Sequence, residues 1–159
     1  MNDPFALAPR LWFGVLCYGI ATDASGQLTL QGVFNQVAFL SPPEDADVPP
    51  NAFLNAVLAV GFNEGLGNFE AEIDIRDMDG NVVWRRPEGH WSFSLGPGER
   101  NAAVLAQQVR HWFRQPGRYY FRVYLSPVQE EHQIPFEVAE KIGPGEIVPD
   151  AAPDEPTRP

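Results

Sequence analysis

Residues 68–84, NFEAEIDIRDMDGNVVW, constrain the fold more than any other stretch of the chain. Phe69, Ala71, Ile73 and Ile75 alternate with Glu70, Glu72, Asp74 and Arg76. A period of two sends one set to a core and the other to solvent, as in a half-buried strand. The run breaks at Asp79-Gly80, a dipeptide that accepts positive φ, and resumes as Val82-Val83-Trp84, so a β-hairpin is predicted. The same alternation recurs in Trp91–Leu95, in Tyr119–Leu125 and in Ile134–Val138. Leu54, Leu58, Val60 and Phe62 share a phase in a further strand.

Residues 102–113 are ambiguous, because Ala102, Leu105, Ala106 and Val109 also fall at helical spacing. A strand is expected there, since a lone short helix among strands must find its own covering surface. The opening run Leu11–Ala21, LWFGVLCYGIA, poses a different question. It is followed by turn residues and a second apolar run, LTLQGVFNQVAFL, so it is read as a retained central strand paired in a hairpin. A secretory leader would want a positive n-region, whereas Arg10 is offset by Asp3. Ten or eleven apolar residues are also too few to cross about 30 Å of hydrocarbon. In the second run the apolar phase moves at Gly32, where a bulge is expected.

About eight short strands punctuated by turns define an all-β domain over residues 10–139, long enough to bury roughly two-thirds of its unfolded surface. Residues 140–159 hold five prolines and five acids and are expected to be a disordered acidic tail. Within PGRYYF, Tyr119 stands where an immunoglobulin-like antiparallel sandwich carries its tyrosine corner, and Phe121 where such domains often place a cysteine. The phenol is then expected to bond back to upstream backbone.

GQLTLQGVFNQVAF, IDIRDMDGNVVW and RQPGRYYFRVYL with IPFEVAE together resemble a family of small uncharacterised bacterial proteins over about residues 10 to 139. The resemblance implies an immunoglobulin-like sandwich and supplies no functional residues. The proline-rich loop at 41–52 and the acidic tail depart from the family pattern.

The chain has 21 acidic residues against 11 basic ones, a net charge of −10. That field disfavours nucleic acid and anionic membranes. One cysteine, Cys17, makes no intramolecular disulfide and fits the cytoplasm, and within an apolar strand it is expected to be a buried, inert thiol. Asp77, Asp79 and Asn81 begin like a calcium loop but lack its later glutamate, so turn chemistry accounts for them. His90, His111 and His132 lie in separate elements without zinc spacing. No nucleophile motif occurs, and Glu70, Glu72 and Asp74 read as a solvated face rather than a catalytic pair.

No catalytic residue, metal site or cofactor is therefore assigned. The expected function is a non-enzymatic protein-interaction module with an unidentified protein partner. Its candidate surface is the outward row Arg118, Tyr120, Arg122 and Tyr124, because tyrosine and arginine dominate binding hot spots. Cross-strand pairing of this row with the acidic row is the competing reading. The alternative function is a carbohydrate or small-ligand binding sandwich using Trp12, Trp84, Trp91 or Trp112 as stacking platforms.

Overall fold

The structure is a computed structural model that describes residues 6–39, 52–98 and 101–140. These contain eleven strands: β1 (Arg10–Cys17), β2 (Gly19–Thr22), β3 (Leu28–Gln31), β4 (Gln36–Phe39), β5 (Ala52–Asn63), β6 (Gly67–Asp77), β7 (Val82–Arg85), β8 (Trp91–Leu95), β9 (Ala102–Phe113), β10 (Gly117–Ser126) and β11 (Glu130–Glu140). No α-helix occurs among the described residues, so the all-β reading holds. The loop at 41–51 and the tail from Lys141 onward lie outside the described residues.

Three strands form one sheet in the order β1-β5-β9, and six form another in the order β4-β11-β10-β6-β7, with β8 also on β6. The two sheets share one core. Leu54, Leu58, Val60, Phe62, Val109 and Phe113 enter it from the smaller sheet, and Ile73, Ile75, Phe121, Val123 and Leu125 from the larger. Aromatic rings join the layers: Phe62 lies 5.5 Å from Phe93, and Phe113 lies 4.7 Å from Tyr119. The Tyr119 hydroxyl donates to the Gln115 carbonyl at 2.8 Å, the upstream bond expected of a corner tyrosine.

The β6–β7 hairpin forms where Asp-Gly places it. Gly80 has φ +86°, and the Asp77 carboxylate accepts the amides of Asp79 and Asn81, each at 2.9 Å. Turn chemistry thus occupies both oxygens of Asp77, the first of the residues that resemble a calcium loop. Residues 102–113 are a strand, paired residue for residue with β5 along its whole length. Burial there alternates strictly: Leu105, Gln107, Val109 and Phe113 point inward while the alanines at 102 and 106 stay exposed.

Three expectations are corrected. The opening run divides at Tyr18, and β1 is an edge strand rather than a central one, because it pairs only with β5 in its sheet. Its hairpin with the second run survives as the short β2–β3 pair, Gly19–Thr22 against Leu28–Gln31. Gly32 is a break rather than a bulge. It has φ +66° and is so close to the Tyr18 ring that a Cβ would collide with it. The chain there leaves β3, and β4 joins the other sheet parallel to β11, burying Val37 in the core. These divisions raise the strand number above eight.

Candidate functional site

The register of β10 determines what the arginine–tyrosine row meets. Arg122 lies opposite Asp74 of β6 and Gln133 of β11. Its Nη1 is 2.8 Å from Glu72 and 3.1 Å from Asp74, its Nε is 3.0 Å from Glu131, and its guanidinium carbon sits 5.0 Å from the centre of the Tyr124 ring. Asp74 also binds Arg76 Nε at 3.1 Å. The Arg122 side chain is 12% exposed and that of Asp74 only 1%. Desolvation opposes the charge on Arg122, but the hydrogen bonds it donates to Glu72 and Glu131 and the nearby Asp74 hold its pKa above the ordinary arginine value.

All four residues of the row do project away from Tyr119, Phe121, Val123 and Leu125. Arg118 is exposed, Tyr120 and Tyr124 are half-buried, and the central arginine is enclosed by carboxylates. The acidic row is not wholly a solvated face, because Asp74 is sealed beneath arginines that approach from its own strand and from β10.

This arrangement has a pH signature. The Arg122 hydrogen bond holds the Glu72 carboxyl below the usual carboxylate range, and hydrogen bonds from Gln133 and then Arg122 do the same for Glu131. Burial pushes the pKa of His111 and His132 down, in the latter case against the pull of Glu130. His132 Nε2 is buried without a hydrogen-bond partner among the described residues, 3.8 Å from Glu130 Oε1. For all four groups the folded pKa is depressed, so the unfolded chain binds more protons and stability is lost as pH falls. The histidines act first, below about 6.5, and the carboxylates below about 4.3. The thermal midpoint should fall between about pH 7.5 and about pH 5. His132→Gln should flatten that fall, and an unchanged slope would remove His132 as its source.

The outer face of the β1-β5-β9 sheet is of opposite character. Its three strands contain no Asp or Glu, and Arg10 and Arg110 are their only formal charges. Trp12 and Trp112 are 54% and 55% exposed, and Phe53 and Val104 are exposed as well. Between Leu11 and Phe13 the register of β1 shifts, which sets Trp12 beside Phe13 with ring centres 5.3 Å apart. The Phe13 ring lies over Gly61, where a Cβ would strike it. At the far end Phe53 stacks on Trp112 at 4.4 Å, with Arg110 5.8 Å from the Phe53 ring centre. By register the two tryptophans stand about 27 Å apart along the sheet. Trp84 and Trp91 instead pack against the core.

A cleft of about 430 Å³ opens where β1 approaches β11 and the β3–β4 connection. Gly14, Leu16, Val33, Phe34, Ile134 and Phe136 are among its lining residues, none of which is titratable. Cys17 is fully buried and burial pushes its thiol pKa up, which suppresses the reactive thiolate as expected. Among the described residues no cluster of three His, Cys, Asp or Glu side chains could hold a metal ion, and no helix is long and apolar enough to cross a membrane.

Two sheets on one core, one faced by ion pairs and the other by acid-free aromatic surface, make up an all-β protein. Residues 13–139 match the Family of unknown function (DUF6941), and the chain belongs to that family. The matched span is nearly the one over which the sequence resemblance runs. A search of the curated proteins found no match.

Proposed function

We propose that the protein is a non-enzymatic protein-interaction module on an immunoglobulin-like sandwich, with the outer face of β1-β5-β9 as its working surface. In chain order β1, β5 and β9 take the places of strands A, B and E of that fold, and β6, β10 and β11 those of C, F and G. The Tyr119–Gln115 bond at the β9–β10 corner supports the same assignment.

The observation that carries the functional reading is the acid-free, aromatic outer face in a chain of net charge −10. Large aromatics beside arginine are the usual anchors of protein interfaces. The fitting partner is an apolar protein surface that offers a carboxylate to Arg110. The row on β10 is a weaker anchor, because a partner would have to compete with Glu72, Asp74 and Glu131 for Arg122.

Affinity purification from the native host tests the reading with two matched variants. Trp12→Ser with Trp112→Ser should lose proteins that wild type retains, and Arg118→Ala should retain them. Loss with Arg118→Ala alone would return the surface to the β10 row. A glycan-array signal abolished by the tryptophan changes would favour the carbohydrate reading instead.

A further inference from the structure

We infer that β9 is an assembly edge, pairing antiparallel with β9 of a second copy to join two three-stranded sheets into one of six strands. The inference rests on the contact-face reading, because this pairing doubles the width of the acid-free face.

The edges of the two sheets are not alike. β1 is blunted by its register shift at Leu11–Phe13 and by the amide of Phe34, which bonds to the Leu16 carbonyl at 2.9 Å. β4 and β7 have four residues each and β8 has five, and a further register shift interrupts the β6–β7 pairing. β9 has twelve residues, pairs with β5 without any shift, and among the described residues has no strand on its other side. Its sequence AAVLAQQVRHWF contains no proline, lysine or acid. Natural proteins protect exposed edges with short strands, bulges, proline or charge, and a long regular edge with Arg110 as its one charge is a template for another strand. In an immunoglobulin-like sheet of the order A-B-E-D, strand D would occupy this side of β9.

A second copy fits this edge for two reasons. Residues facing each other across an antiparallel pair must share a sheet face, so a two-fold axis through Gln107 is allowed. It sets Leu105 against Val109 on the inner face, and Ala102 against Trp112 and Val104 against Arg110 on the outer face. Small meets large, and no arginine meets arginine. Moreover, two chains of net charge −10 repel each other, whereas the sheet carrying this edge has no carboxylate of its own, and Glu88, which reaches Gln107 from the β7–β8 connection, is paired there with Arg86.

Sedimentation of the full chain, with hydrogen exchange read at low and high concentration, tests the inference. The expected species has twice the 17.7 kDa chain mass, with protection of residues 102–112 rising as the dimer forms. Val104→Lys with Ala106→Lys adds charge at exposed outer-face positions and should give a folded monomer by circular dichroism. Trp12→Ser, on β1 at the opposite side of the sheet from this edge, should remain dimeric while weakening partner binding, so the edge and the face fail separately. A wild-type monomer at the highest soluble concentration would overturn the inference. So would a dimer untouched by the two lysines, or protection of 102–112 independent of concentration, which would assign the edge to another segment of the same chain. If the lysine variant does not fold, the concentration dependence of exchange in wild type decides alone.

Discussion

Arg122→Ala should destabilise the protein by about 3 kcal/mol, far more than removal of a solvent-exposed arginine. The solvated row expected from alternation alone would lose only cross-strand contacts, at about 1 kcal/mol or less. The difference comes from enclosure: Asp74 has 1% of its side chain exposed and shares Arg122 with Glu72 and Glu131. Removing the cation leaves a desolvated carboxylate whose remaining close partner is Arg76, at 3.1 Å. That remaining pair places the cost at the low end of the range for breaking a buried ion pair. Asp74→Asn with Arg122→Ala should recover part of the loss, because the stranded charge is then gone. Chemical denaturation of the two variants measures both quantities. Equal stability of Arg122→Ala and wild type would mean that the cluster contributes no more than a surface pair.

The second large effect is expected at Phe62. Its side chain is fully buried and touches the opposite sheet through Phe93 at 5.5 Å and His132 at 5.4 Å, with Trp91 at 6.3 Å. Phe62→Ala removes this bridge and leaves a cavity between layers that strand pairing keeps from collapsing. The expected loss is about 3–5 kcal/mol. Trp112→Ser, at a ring 55% exposed on the outer face, should cost about 1 kcal/mol or less. The comparison separates core aromatics from contact aromatics, and similar losses at both positions would show that Trp112 is covered within the monomer.

The sequence made some of this legible and hid the rest for identifiable reasons. The β6–β7 hairpin could be read because Asp-Gly and period-two alternation are both local signals. The Tyr119 corner was likewise legible from a short pattern. β1 reads from sequence as a central strand because an apolar run on both phases normally means cover on both faces. Here the outer phase of that run, with Trp12 and Phe13, belongs to the exposed aromatic face. The enclosure of Asp74 was hidden because alternation gives the direction of a side chain but not its cross-strand neighbours. Those depend on β10 pairing with β6 in the register that sets Arg122 against Asp74. The acid-free face needed the strand order as well. Its one signal in the sequence is the lack of Asp and Glu across residues 10–17, 52–63 and 102–113, which gains meaning once those segments are adjacent.

One sheet face is satisfied by ion pairs within the chain, and the function we propose leaves the other open to a partner. Photo-cross-linking in the native host tests it directly, with a cross-linking amino acid placed in turn at position 112 and at position 120. Defined protein adducts are expected from position 112 and none above background from position 120. Adducts concentrated at position 120, with position 112 silent, would contradict it.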